Sequence, residues 1–197
     1  MMTKRLRAIV AGAALIALAA CAQANETDAT SAERSTAIEG SDTSAGEALE
    51  LRLASGGLTI GEPGLHPREA YLFGMTREDI VAIVTEYRGP PTDQSSNGEC
   101  GAGPMEFTSF GPLTLNFLDG EWAGWSMSQS AGDPPLASEF GTAIGAGRGE
   151  INADDLTVEE TSLGTEFDSG GIYGLFSGTG PNAEVTELWA GAACNFR

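Results

Sequence analysis

The chain has 197 residues, with 28 acidic against 10 basic side chains and a formal charge of −18 with histidine neutral. Hydrophobic residues make up 41% of it, enough to build a real core. A surface this negative repels phosphates and anionic headgroups, and the few basic residues are too scattered to form a patch, so nucleic-acid and lipid-surface binding are excluded as expectations.

The N-terminus carries Lys4, Arg5 and Arg7, then an unbroken small-to-apolar run over residues 8–20 that ends in Leu18-Ala19-Ala20-Cys21. Thirteen residues are too few to span a bilayer core, which takes about 20 in a helix. The pattern resembles the bacterial lipoprotein signal. That resemblance implies cleavage before Cys21, diacylation of its thiol, and, with Ala22 rather than aspartate next, a lipid anchor in the outer membrane facing the periplasm. Ala22-Gln23-Ala24 offers an ordinary secretory cleavage site as the alternative. Loss of residues 1–20 leaves seven arginines, no lysine and all 28 acidic residues, a formal charge of −21.

With Cys21 acylated, Cys100 and Cys194 remain as an even pair in an oxidising compartment, which favours a disulfide. Two free thiols are the alternative. His66 is the sole histidine and has no CxxC or HxxxH company, so no metal site is expected.

Residues 21–50 are rich in Ala, Ser, Thr, Glu and Asp and read as a disordered tether. Order is expected from Leu51 and is secure by Phe73. Thr76 can cap a helix that Asp79 supports, and Ile80, Ile83, Val84 and Tyr87 recur on one face until Gly89-Pro90-Pro91 stops it. Strands are expected over 105–109, 113–118 and 121–128, the last two joined by an Asp119-Gly120 hairpin. Beyond Gly132 the signals weaken: Asn152 with Asp155 could cap a short helix, 158–161 could be a strand, and 171–177 with 184–190 read as a hairpin. An imperfect internal repeat is the expectation, with boundaries at 1–20 (signal), 21–50 (lipidated cysteine and tether), 51–132 (first helix-plus-meander unit) and 133–197 (second, weaker unit).

Gly74-Met75-Thr76-Arg77-Glu78-Asp79-Ile80, an apolar helix, Gly89-Pro90, and strands carrying Phe117-Leu118-Asp119-Gly120 resemble small outer-membrane lipoproteins of the SmpA/OmlA (BamE) type. A tandem pair of such units is similar to the architecture of beta-lactamase inhibitory protein. The resemblance covers 73–128 well and 139–194 loosely; the second copy lacks a Gly-Met-Thr start. It implies an α+β fold, an antiparallel sheet with one or two helices packed on one face, in two tandem repeats, and a role in assembling envelope proteins.

Enzyme signatures are missing. Gly124-Trp125-Ser126-Met127-Ser128 lacks the closing glycine of a nucleophile elbow, and His66 between Leu65 and Pro67 is poorly placed for a triad. Gly145-Ala146-Gly147-Arg148-Gly149 has the wrong spacing for a dinucleotide loop and reads as a flexible connector. Glu159 and Glu160 on a strand would point apart, and with Asp154-Asp155 read as solvated surface. No catalytic residue and no cofactor is expected. Trp122 and Trp125 differ by three and so should face opposite sides of one strand. One of them, with Trp189 or Tyr173, is the candidate aromatic patch for a partner protein of the envelope. The expected function is therefore a lipid-anchored, non-catalytic protein-binding or assembly module. Inhibition of a periplasmic enzyme is the alternative, and a hydrolase using acidic residues is a more distant one.

Overall fold

A computed structural model describes residues 49–66, 68–128, 136–152, 154 and 156–195. Cys21, the signal segment and nearly all of the expected tether lie outside the described residues.

Order begins at once with period-two patterning. Leu51 and Leu53 alternate with Arg52, and Leu58 and Ile60 with Thr59, so a hairpin turning at Ser55-Gly56 buries all four on one face. Strands β1 (Glu50–Ala54), β2 (Gly57–Gly61) and β3 (Glu69–Leu72) form a three-stranded antiparallel sheet. Helix α1 (Arg77–Arg88) follows, capped by Thr76, whose hydroxyl accepts from the Asp79 amide at 3.2 Å. Ile80 and Val84 are its fully buried residues, and Gly89 closes it with a positive φ.

The remaining strands make one eight-stranded antiparallel sheet: β4 (Asp93–Asn97), β5 (Met105–Phe110), β6 (Leu113–Leu118), β7 (Glu121–Ser128), β8 (Leu156–Thr161), β9 (Gly164–Ser169), β10 (Ile172–Phe176) and β11 (Val185–Gly191). Its order is β4-β5-β6-β7-β11-β10-β9-β8, two meanders joined through their last strands. Asp119 and Gly120 both take positive φ (51° and 84°), the left-handed pair that a tight hairpin between β6 and β7 requires. One face of this sheet shares a continuous core with α1 and with the small sheet: Phe110, Leu113, Leu115, Phe117, Trp122, Trp125, Phe167, Ile172 and Leu188 lie in one cluster with Leu51, Leu53, Leu58, Ile60, Ile80 and Val84.

This corrects the expected fold class. The described chain is mainly β, eleven strands in two antiparallel sheets with a single α-helix of 12 residues, rather than α+β with a helical layer. The physical reasons are local. Residues 50–61 alternate with period two, which suits a strand and not a helix. Between Glu150 and Leu156 only five residues remain, fewer than two helical turns. The chain spends the positions before them on a three-residue 3₁₀ turn, Arg148–Glu150.

Residues 145–149 are correspondingly no loose connector. Gly145 donates to the Val185 carbonyl (2.8 Å), Val185 to Ala146 (2.9 Å) and Arg148 to Ala183 (2.9 Å). The same three bonds precede the first meander: Gly74 to Trp122 (2.8 Å), Trp122 to Met75 (2.8 Å) and Arg77 to Gly120 (3.0 Å). Gly74 and Gly145 both need positive φ (95° and 84°) to turn the chain into this bridge. The arginine that follows lies over a core ring in each case, Arg77 5.2 Å from Phe117 and Arg148 5.4 Å from Phe176.

Cys100, in the β4–β5 loop, is bonded to Cys194 just beyond β11, with a Cα–Cα separation of 4.9 Å. The bridge closes a loop with a sequence separation of 94. Such a loop removes about 4 kcal/mol of unfolded-state freedom on the chain-entropy model. Replacing both cysteines by serine should therefore lower unfolding stability by roughly that amount in denaturant titrations, and added reductant should then have no further effect; an unchanged midpoint would show that the bridge is idle.

Candidate interaction surface

The central strand of the large sheet decides which residues can meet a partner. In β7, Gly124 pairs with Asn116 but Trp122 pairs with Phe117, so Ala123 is an extra, bulged residue. A bulge shifts the side-chain alternation by one. Trp122 and Trp125, three apart, consequently project from the same face, opposite Phe117 and Leu115. Both are fully buried, and both indole N–H groups are satisfied, Trp122 by the Gly124 carbonyl (2.7 Å) and Trp125 by Ala54 of the small sheet (2.9 Å). Phe73 meets Trp122 edge-on at 4.8 Å. The expectation that the two tryptophans face opposite sides is thus overturned by the bulge, and neither ring is available at the surface.

The other face of the sheet can be read directly from the strand register. One row runs Thr157, Asp168, Tyr173, Trp189, Ser126, Thr114, Ser109, Asp93 from edge to edge. The next runs Glu159, Glu166, Leu175, Glu187, Ser128. Tyr173 and Trp189 are cross-strand neighbours, with rings stacked at 6.2 Å and 17°. Of the four aromatic residues singled out from the sequence, the structure therefore puts two in the core and brings two together on the outward side, where Trp189 is itself buried (5% exposed) and only Tyr173 is half-exposed.

The C-terminal segment folds back across this face. Ala192 donates to the carbonyl of the bulged Ala123 (2.9 Å), and its own carbonyl accepts from the Asn116 side chain (2.9 Å). Gly124 leaves the room: a Cβ there would come within 2.2 Å of the Ala192 carbonyl. Cys194 then anchors the segment to Cys100, and Asn97 donates to its sulfur at 3.5 Å. The outward face is covered over β6 and β7 by this segment. Around β8–β11 it forms two recesses.

The first recess, about 190 Å³, is lined by Thr157, Glu159, Thr161, Glu166, Asp168 and Tyr173. The second, about 350 Å³, lies between the Tyr173–Trp189 pair and Gly191, Ala192, Ala193 and Asn195. Tyr173 belongs to both. Glu166 is only 6% exposed, and Asp168 accepts from the Gly171 amide at 2.9 Å. Glu159 faces Glu166 across the β8–β9 ladder, whereas Glu160 faces Thr165 on the opposite side, so the adjacent pair diverges. Glu166, Asp168 and Glu187 were not singled out from the sequence. The signal for the first two was the Glu-Phe-Asp alternation at 166–168, which no expected strand covered, whereas Glu187 lay in the strand expected over 184–190.

A groove of about 890 Å³ lies on the small-sheet side, lined by Arg52, His66, Arg68 and Phe140 among others. Its cations are already engaged: Arg52 and Arg68 both pair with Glu50 (2.6 and 3.5 Å), and Arg68 also donates to the Thr59 hydroxyl (3.2 Å). His66 is exposed there. The Tyr71 phenol on β3 is pushed up to about 12, first by burial and then by its hydrogen bond to Glu69, so it stays neutral at ordinary pH. Among the described residues no group of three His, Cys, Asp or Glu is arranged to hold a metal ion, and no helix is long and apolar enough to cross a membrane.

No family model matches this chain, and neither a curated protein nor a solved structure does so.

Because Trp122 and Trp125 fill the core, Trp122→Ala or Trp125→Ala should cost about 3–5 kcal/mol of folding stability. Denaturant unfolding of each variant checks this, and a loss below about 1 kcal/mol would place that ring outside the core.

Proposed function

We propose that the protein is a non-catalytic binding module of the bacterial envelope, tethered through an acylated Cys21 and facing the periplasm, whose outward sheet face docks another envelope protein. The observation that carries this reading is the stacked Tyr173–Trp189 pair flanked by two recesses on a sheet whose opposite face is consumed by the core. Trp189 is buried and fixes the ring of Tyr173, which is the half-exposed member of the pair, and a rigid ring with a polar edge supplies contact area at little entropic cost. The disulfide and the tail over Ala123 hold that face in one arrangement, so little ordering would be needed on binding. The lipoprotein-like N-terminus supports the same location.

Site-specific photocrosslinking in intact cells tests the reading. A crosslinking residue at position 173 should give a discrete adduct with an envelope protein, and one at position 86 on the exposed side of α1 should give none. Adducts of equal yield from both positions, or from neither, would contradict it. Cys21→Ser should move the protein from the membrane fraction to the soluble fraction; retention in the membrane would contradict the lipid anchor.

A further inference from the structure

Independently of the docking face, we infer that Asn97-Gly98 is a site of spontaneous covalent modification, where the Asn97 side-chain amide is lost as ammonia through a succinimide, leaving aspartate and isoaspartate. Asn97-Gly98 is the only Asn-Gly pair in the chain. It lies where β4 ends and the loop to Cys100 begins, with Gly98 and Glu99 exposed to water.

The reaction needs a backbone amide free to attack, an electrophilic side-chain carbon and room around both. Among the described residues the Gly98 amide donates no hydrogen bond. A Cβ placed on Gly98 would meet nothing within 4 Å, so the approach is open. Asn97 Oδ1 accepts from the Glu99 amide at 2.8 Å. That donor draws electrons from Cγ and already points at the oxygen on which negative charge develops when the carbon is attacked. A bond forms between Gly98 N and Asn97 Cγ, the amide proton passing to solvent. The Cγ–Nδ2 bond then breaks, and Nδ2 leaves as ammonia with a proton from water. Water finally opens the five-membered ring. Attack at Cγ gives aspartate, and attack at the Asn97 backbone carbonyl gives isoaspartate, whose main chain runs through the former side chain.

The other described asparagines each lack part of this arrangement. Asn152 has the same kind of side-chain hydrogen bond, from the Asp154 amide at 3.2 Å, but is followed by alanine, whose Cβ crowds the attacking nitrogen. Asn182 is exposed, but the Ala183 amide is occupied by the Gly180 carbonyl at 3.1 Å. Asn116 is 1% exposed, with its side-chain amide spent on the Ala192 carbonyl, and Asn195 precedes a phenylalanine.

The position gives the change a consequence. Asn97 Nδ2, the atom that departs, is the donor to Cys194 Sγ at 3.5 Å. Deamidation therefore exchanges an amide donor for a carboxylate beside the bridge that holds the C-terminal segment. Isoaspartate also adds a carbon to the main chain at the position that pairs with Met105.

Mass spectrometry of the full chain, aged in its folded state at neutral pH and physiological temperature and then digested, tests this. The peptide carrying Asn97 should gain one mass unit at least tenfold faster than those carrying Asn116, Asn152 and Asn182, and should contain both aspartate and isoaspartate. Gly98→Ala should slow the gain at least tenfold and leave the fold intact, because the added methyl has open space. Equal rates at Asn97 and Asn152, or an unchanged rate in Gly98→Ala, would overturn the inference. Modification confined to the urea-unfolded chain would do the same, because the fold would then be protecting the pair.

Discussion

One extra residue in β7 determines which way the large side chains at the centre of the sheet point. Without the bulge at Ala123, Trp122 and Trp125 would be split between the two faces, leaving a hole in the core and an indole in solvent. With it, both rings join Phe117, Leu115 and Leu113 beneath the small sheet and α1. The carbonyl that the bulge displaces from the ladder is then used by Ala192, which draws the C-terminal segment over the outward face. A single backbone irregularity thus closes the core on one side and shapes the recesses on the other.

The two faces consequently differ in kind. The inward one is mainly aromatic and aliphatic, with Thr108, Thr165 and Ser169 buried among the rings. The outward one is acidic and hydroxyl-lined, interrupted by the Tyr173–Trp189 stack, and bounded by a segment tied down at Cys194. A sheet with one face solvated ordinarily alternates apolar-in with polar-out, and these strands do so. The departures include Leu175, Phe107, the aromatic pair and the nearly buried Glu166; Glu166 and Tyr173 line the same recess.

Much of the skeleton could be read in the sequence. The cap at Thr76, the helical spacing through Val84 and the Asp119-Gly120 hairpin all describe local chemistry that the fold retains, and the parity of the cysteines anticipated the Cys100–Cys194 bond. What escaped was decided at a distance. A bulge leaves no mark in the residue types at 122–125, because alternation is broken only relative to a partner strand. Strand β9 was hidden by its flanking glycines, and β1–β3 by their shortness. The carboxylate recess could not be seen without the β8–β9–β10 register, since Glu159 and Tyr173 join Glu166 and Asp168 only through that pairing.

The account depends above all on which rings face solvent. Paramagnetic attenuation by a soluble nitroxide, read from the aromatic signals of the folded protein, tests it most directly. The Tyr173 ring should lose intensity strongly while the Trp122 and Trp125 indoles remain unaffected. Attenuation of either indole to the level of Tyr173 would contradict the bulge, the assignment of the faces and the surface built on them.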